Sequence, residues 1–154
     1  MTKSRIRGIR KGSNVRIIKP VNLYDCELQD DVQVGPFTEI QAGVLIGRGT
    51  KIQSHSFICS LVTIGKDCFV GHGVMFTNDL LRGGPAHGDK SRWAKTEIGD
   101  RVSIGSNTTI LPVRVCDDVV IGAGSVVTRD IIEPGVYVGN PARRIEKENR
   151  GARK

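Results

Sequence analysis

The chain has 154 residues, a length that suits one domain with a buried core of ordinary size. Lysine and arginine outnumber acidic residues by 23 to 16, a formal net charge of +7 that favours an anionic partner. Only 5% of the residues are aromatic and no nucleic-acid-binding motif is present, so nucleic acid is not an expected partner.

The first segment, "MTKSRIRGIRKGS", is basic and lacks the apolar stretch of a secretory signal. No later run reaches the roughly 18 apolar residues that a membrane span requires. The four cysteines form no C-x-x-C pair and have no zinc-finger spacing. We therefore expect a cytoplasmic protein with reduced thiols and no membrane span.

From Leu28 onward the chain repeats every six residues. An apolar side chain opens each repeat, glycine often follows it, and a small or β-branched residue comes four positions after it. The opening residues are Leu28, Val34, Ile40, Ile46, Ile52, Ile58, Ile64, Val70, Phe76, Ile98, Ile104, Ile110, Val115, Ile121 and Val127. Neither an amphipathic helix nor an alternating strand has this period. The pattern predicts a strand that turns a corner every six residues, with both kinds of repeat residue inside and the coils stacked.

One interruption breaks the repeat between Phe76 and Ile98. These residues are 22 positions apart where one repeat needs six, so sixteen residues are surplus. Repeat proteins tolerate insertions at corners, but such insertions often lie on the binding face. We therefore predict that residues 79–97 form a loop extruded from a corner, and we favour a functional role over a tolerated insertion.

The repeat resumes after the loop and ends in "GVYVGNPARRI", followed by basic residues. The hexads, the words "FVGHGVMFTND" and "VSIGSNTTILPV", and the "GNPAR" ending resemble the hexapeptide-repeat acyltransferases, over nearly the whole chain. The resemblance implies an all-β fold, a left-handed parallel β-helix. It also implies one domain over 1–154, with coils over about 15–133, the extruded loop at 79–97 and a short basic tail at 134–154.

The same words are similar to the branch of this family that acetylates amino groups on nucleotide-linked sugars. The resemblance implies transfer of an acetyl group from acetyl-CoA to the amine of a dTDP- or UDP-linked amino-deoxysugar, for bacterial surface polysaccharide biosynthesis. It further implies a homotrimer with sites between adjacent prisms. We expect no metal.

Coil stacking places the candidate catalytic groups. An interval of eighteen residues puts His72 over Ser54, with His55 at the same corner one coil earlier and Asn78 at the next corner over Ser60. The amine must be unprotonated to attack a thioester, so a histidine base is expected, first His72 and then His55. The resemblance instead assigns to Asn78 the orientation of the amine, and both mechanisms stay open.

Other residues are predicted to contact the substrates. For the acceptor these are Asp79, Phe37, Glu39, Gln41 and His87, and His87 is also a third candidate base. The resemblance places acyl-CoA along the C-terminal coils. The predicted coenzyme contacts are Gly105, Ser106, Gly122, Ala123, Gly124, Arg143, Arg144 and Lys147.

Two alternatives remain. A metal hydratase of the γ-carbonic anhydrase type needs three histidines around zinc, and this chain has three, although the H-x4-H pair of that family is missing. A non-catalytic β-helix assembly subunit would have little need for the "GNPAR" ending and its basic corner. Metal analysis and thermal stabilisation by acetyl-CoA separate these alternatives from the acetyltransferase.

Overall fold

The computed structural model describes residues 4–85 and 88–146. Over these residues the chain forms short β-strands joined by tight corners, with a single 3-10 helix at Lys90–Arg92. No helix in this described part is long and apolar enough to span a membrane.

The strands are, in chain order, β1 Arg5–Arg7, β2 Arg10–Lys11, β3 Arg16–Ile17, β4 Asn22–Tyr24, β5 Glu27–Leu28, β6 Gln33–Val34, β7 Glu39–Ile40, β8 Leu45–Ile46, β9 Lys51–Ile52, β10 Phe57–Ile58, β11 Val62–Ile64, β12 Phe69–Val70, β13 Met75–Phe76, β14 Thr96–Ile98, β15 Ser103–Ile104, β16 Thr109–Ile110, β17 Arg114–Val115, β18 Val119–Ile121, β19 Val126–Val127, β20 Gly135–Val138 and β21 Arg143–Ile145.

Every third strand pairs in parallel, so the chain winds into a three-sided coil. The first face runs from β1 to β19, the second from β2 to β17, and the third from β3 to β20, where β21 adds an antiparallel edge. We name the edges corner 1–2, corner 2–3 and corner 3–1 after the faces that they join. This architecture confirms the predicted all-β fold, a parallel β-helix of hexapeptide repeats, and agrees with the left-handed sense expected for them.

The predicted repeat residues fill the interior. All fifteen opening side chains are buried, with at most 3% of their surface exposed. The small residues between them are buried as well, and their hydroxyls find backbone partners: Thr50 Oγ1 donates to the carbonyl of Gly65 and Ser56 Oγ to that of Gly71. Polar atoms inside the coil therefore keep hydrogen bonds, which removes most of the cost of burying them.

The cysteines belong to this interior. The four cysteines are free thiols, and Cys26, Cys59 and Cys68 are buried while Cys116 is partly exposed. Burial raises the pKa of the Cys26 and Cys59 thiols to about 11. These thiols therefore remain protonated at neutral pH and act as small apolar side chains.

The register of the coils is kept across the interruption. Away from the loop, paired residues in successive coils differ by 16 to 18 positions, as in Phe57 and Met75, whereas Met75 pairs with Thr109, 34 positions later. Compared with an eighteen-residue coil, the surplus is the sixteen residues predicted from the sequence. They leave at corner 1–2, between β13 and β14, and do not disturb the interior.

Strand pairing reaches both ends of the described chain. At one end β1 pairs with β4, so the coil includes residues ahead of the first regular repeat. At the other end the β20–β21 hairpin closes the third face, and the Tyr137 hydroxyl donates to the carbonyl of Glu133. The sites described below lie between these ends.

Candidate active site

Corner 3–1 carries a row of side chains in consecutive coils, formed by Ser54, His72, Ser106 and Ala123. The Ser54 hydroxyl lies 2.9 Å from His72 Nδ1, as the eighteen-residue stacking predicted. On the other side, the backbone N–H of His72 donates to Ser106 Oγ at 3.2 Å. The predicted base and the predicted coenzyme contact Ser106 therefore belong to one edge of the coil.

A second row on the same corner holds two aromatic rings. Phe37 and His55 stack with their ring centroids 4.8 Å apart and 26° between the planes. Both residues have positive φ angles, 59° and 61°, which are uncommon for bulky side chains. Phe37 remains 54% exposed. The structure thus pairs His55 with Phe37 and His72 with Ser54.

The C-terminal part of corner 3–1, at Ser106, Ala123 and Gly124, has small side chains and accessible backbone, and we call it the shelf. A Cβ at Gly105 would lie 2.4 Å from the backbone nitrogen of Ala123, so only glycine lets these coils stack. Ala123 and Gly124 are exposed, and a Cβ at Gly124 would meet nothing within 4 Å. A long thin ligand can therefore lie along this edge without displacing side chains.

The basic residues near the C-terminal end differ in whether they already form ion pairs within the chain. Arg144 Nη1 donates to Glu133 Oε2 at 2.8 Å, and its Nη2 donates to the carbonyl of Pro134. Arg143 pairs across the hairpin with Val138, is exposed, and forms no ion pair within the described residues. Arg143 is thus better placed than Arg144 to meet an anionic ligand. The predicted Lys147 lies outside the described residues.

Corner 1–2 holds Asn78 at the base of the loop. Its Nδ2 donates to the carbonyl of Ser60 at 3.2 Å, which confirms the predicted stacking. The Ala94 N–H donates to the Asn78 carbonyl and closes the loop at its base. Asp79 Oδ1 accepts from the Leu81 N–H at 2.8 Å. The predicted contact His87 falls outside the described residues.

Glu39 and Gln41 lie on the first face, toward corner 1–2. Glu39 accepts from Asn22 Nδ2 at 2.9 Å and from Gln41 Nε2 at 3.1 Å, so both of its oxygens have partners. Gln41 Oε1 accepts from the Ser60 N–H, which connects it to Asn78 through Ser60. These hydrogen bonds stabilise corner 1–2. His72 lies at corner 3–1, the opposite edge of the first face.

Two features of the candidate corners could not be predicted from the sequence. The eighteen-residue interval placed Ser54 beside His72 but did not reveal its hydrogen bond to the ring. The Thr77 hydroxyl, next to Asn78, is buried without a hydrogen-bond partner in the described structure. Nothing in the hexad pattern marks that hydroxyl, because its isolation depends on what covers it in three dimensions.

The described residues also form grooves away from corner 3–1. Grooves of about 460 and 510 Å³ lie on the second face, the first beside Lys11 and Arg48 and the second beside Cys116 and Ile132. A cavity of about 80 Å³ lies inside the loop beside Asp79 and Arg92. We place the candidate site by its chemical groups rather than by groove size, because corner 3–1 brings together the histidine, the hydroxyls and the bare backbone.

Metal-binding side chains are dispersed along the coil. Within residues 4–85 and 88–146, no three histidine, cysteine, aspartate or glutamate side chains gather closely enough to hold a metal ion.

Two family models match this chain. Residues 25–60 match the bacterial transferase hexapeptide (six repeats), and residues 95–129 match the hexapeptide repeat of succinyl-transferase. The chain therefore contains hexapeptide repeats. The matched segments lie on either side of the loop, which agrees with an insertion into a continuous array.

Among curated proteins, the chain is similar to the bifunctional protein GlmU of Thermotoga petrophila. The two are 31% identical over 163 residues, which cover 94% of this chain and 34% of that protein. This hexapeptide-repeat chain therefore spans about a third of the length of this relative.

Two solved structures share the fold. A mutant of perosamine N-acetyltransferase from Caulobacter crescentus, in complex with CoA and GDP-perosamine, has a TM-score of 0.64 and 20% identity, covering 94% of this chain and 58% of that one. Galactoside acetyltransferase in complex with coenzyme A has a TM-score of 0.60 and 26% identity, covering 91% and 64%. At this identity the perosamine enzyme shows the shared fold alone.

Proposed function

We propose that this protein is an acetyl-CoA-dependent N-acetyltransferase. Its acceptor would be the amino group of a nucleotide-linked amino-deoxysugar used for bacterial surface polysaccharide, a reaction expected in the cytoplasm. The observation that carries the proposal is corner 3–1, where His72 lies in one row with Ser106 and Ala123 beside bare backbone. The transferase descriptions of the matching repeats and the coenzyme A complex of galactoside acetyltransferase support it.

The donor would lie along the C-terminal part of corner 3–1. The pantetheine arm of acetyl-CoA is narrow, and the shelf at Ser106, Ala123 and Gly124 offers small side chains and accessible backbone. Arg143 is the described cation best placed for the phosphates, because guanidinium donors match phosphate oxygens in pairs. In this arrangement the thioester would reach His72 from the C-terminal side.

The acceptor amine would react beside His72. The nitrogen lone pair attacks the thioester carbonyl, a proton passes from the amine to the imidazole, and the C–S bond breaks. The proton then reaches the sulfur of the leaving coenzyme, so the products are an amide and a free thiol. Asn78 would orient the amine or the sugar, and the loop that it opens would form a wall of the acceptor site.

A partner copy would complete this site. His72 and Asn78 lie in one coil but at opposite edges of the first face, separated by β13. In a trimer, corner 1–2 of one chain could meet corner 3–1 of the next. Exposed apolar side chains on the flat faces favour such packing, since Met75 on the first face, and Phe69 and Val120 on the third, are each more than 40% exposed. Sedimentation equilibrium tests the trimer directly.

The reaction is tested by a screen of nucleotide-linked amino sugars. Each dTDP- or UDP-linked sugar is mixed with acetyl-CoA and the protein, and thiol release is followed with a chromogenic disulfide. We expect release with amino sugars and none with the matching hydroxyl sugars. Mass spectrometry of the product should show one added acetyl group on nitrogen. Absence of release across the panel, with no thermal stabilisation by acetyl-CoA, would overturn the proposal.

Two variants then distinguish proton transfer by His72 from orientation of the amine by Asn78. We expect His72→Ala to lower kcat, and Asn78→Ala to raise KM for the amino sugar as well as lower kcat. If His72→Ala keeps its rate across the pH range while Asn78→Ala loses it, the histidine is not the base. Asn78 would then carry the reaction by orienting an amine that loses its proton to water.

A further inference from the structure

The His72 ring is held from the neighbouring coil by a hydroxyl. Ser54 Oγ lies 2.9 Å from Nδ1, and no other side-chain hydrogen bond reaches the ring within the described residues. Ser54 is half-buried, whereas His72 is exposed. We propose that Ser54 is a positioning residue, which fixes the imidazole through Nδ1 and directs Nε2 toward the acceptor amine. This inference rests on the proposed function for its catalytic consequence.

The backbone around this pair is fixed on both sides. The Gly73 N–H donates to the Ser54 carbonyl at 2.9 Å, and the Asn107 N–H donates to the His72 carbonyl at 2.8 Å. The His72 N–H donates to Ser106 Oγ. Because the main chain of His72 is tied to the coils before and after it, the remaining freedom lies in the ring. One hydrogen bond at Nδ1 is enough to select its orientation.

A serine suits this role because its hydroxyl oxygen can accept a hydrogen bond from Nδ1–H. While the ring is neutral with its proton on Nδ1, the hydroxyl accepts that proton in a hydrogen bond and Nε2 keeps its lone pair. After Nε2 has taken the proton of the amine, Nδ1–H still donates to the same oxygen. The ring can therefore change charge without turning, and the proton can pass on to the leaving sulfur from the same position.

The neighbouring histidine lacks such a partner. His55 stacks its ring on Phe37, and within the described residues no side-chain hydrogen bond holds either of its ring nitrogens. Ring stacking fixes a plane but leaves open which nitrogen carries the proton. The hydrogen bond between Ser54 Oγ and Nδ1 thus distinguishes His72 from His55 as the base.

The first measurement is a kinetic cycle with Ser54→Ala, Ser54→Thr, His72→Ala and the double variant Ser54→Ala/His72→Ala. Ser54→Ala should lower kcat by roughly tenfold to a hundredfold while KM for acetyl-CoA changes little, because the geometry of attack is lost rather than binding. Ser54→Thr keeps the hydroxyl and should retain most of the rate. In the His72→Ala background, Ser54→Ala should have no further effect. An equal loss in both backgrounds, or none in either, overturns the inference.

The second measurement does not need the reaction. Nitrogen-15 shifts of labelled histidine show which ring nitrogen carries the proton, and His72→Ala assigns the His72 signals. We expect the Nδ1–H form in the native protein, its loss in Ser54→Ala and its return in Ser54→Thr. The control Thr63→Ala changes an exposed residue of β11, on the second face, and should leave the shifts unchanged. Unchanged shifts in Ser54→Ala overturn the positioning role. If the shifts respond but no amino sugar is acetylated, Ser54 still positions His72 and only the proposed function fails.

Discussion

Corner 2–3 and corner 3–1 of the coil carry different side chains at equivalent positions of the repeat. At corner 2–3, carboxylates cap the backbone of the preceding coil: Asp30 accepts from the Ser13 N–H at 2.7 Å, Asp100 from Lys66 at 2.8 Å and Asp117 from Asp100 at 2.8 Å. At corner 3–1 the equivalent positions hold Ser54, His72, Ser106 and Ala123.

The difference shows how a regular coil can carry a site on one edge. Corner 2–3 uses its polar atoms on its own backbone and adds ion pairs, such as Arg101 with Asp118 at 2.7 Å. In the row of corner 3–1 no carboxylate takes this place among the described residues, and a single hydroxyl, that of Ser106, accepts from the His72 N–H. The histidine ring and the exposed backbone beside it can therefore meet a ligand. We infer that corner 2–3 is structural and corner 3–1 is functional.

The largest expected effect is a loss of kcat after a substitution at corner 3–1. His72→Ala should lower kcat by about 10²- to 10⁴-fold, the usual contribution of a general base, while the melting temperature stays nearly unchanged because the side chain is exposed. Steady-state kinetics and a thermal melt of the same preparation measure both. A variant that melts early would assign a structural role to this corner as well.

Glycine stacking should matter at both corners. Gly47→Ala at corner 2–3 and Gly105→Ala at corner 3–1 should each lower the free energy of unfolding by about 1–3 kcal/mol, because the added Cβ meets backbone of the next coil at 2.5 and 2.4 Å. Gly43→Ala is the control: its Cβ meets nothing within 4 Å, and its φ of +77° leaves only a backbone cost of about 1–2 kcal/mol. Urea unfolding ranks the three. Equal losses for all of them would contradict the steric explanation.

A smaller effect is expected from the caps of corner 2–3. Asp100→Ala removes the acceptor for the Lys66 N–H and should cost about 1 kcal/mol of unfolding free energy, with kcat unchanged. Asp100→Asn keeps an oxygen acceptor and should recover part of the loss. If Asp100→Ala lowers kcat as much as it lowers stability, the two corners are not independent.

The smallest expected effect is a pH dependence at the same corner. The hydrogen bond from Arg101, and then its charge, hold the pKa of Asp118 below the usual aspartate range. The folded protein therefore keeps this carboxylate charged where the unfolded chain would protonate it. The contribution is complete above the ordinary aspartate pKa, about 4, and is lost as the pH falls through the lower folded value. In Arg101→Ala the free energy of unfolding should fall less steeply as the pH is lowered from 5 to 2. The control Arg92→Ala should leave this pH dependence unchanged.

Much of the coil could be predicted because the hexad reports directly on burial. Each opening residue from Leu28 to Val127 lies inside, and a fixed interval of about eighteen residues placed His72 over Ser54 and Asn78 over Ser60. The loop surplus followed from the same count. Local spacing is sufficient for these features, since each coil contacts mainly the next one.

The sequence by itself determined the interior, the stacking interval and the position of the loop, because they repeat along the chain. Only the tertiary structure decided how individual surface groups are engaged: Phe37 stacks on His55, Glu133 holds Arg144, and the Ser54 hydroxyl meets the His72 ring. These contacts depend on rotamers and on distances of a few ångströms between coils. A periodic pattern specifies which residues face outward, but it does not specify which of their atoms meet.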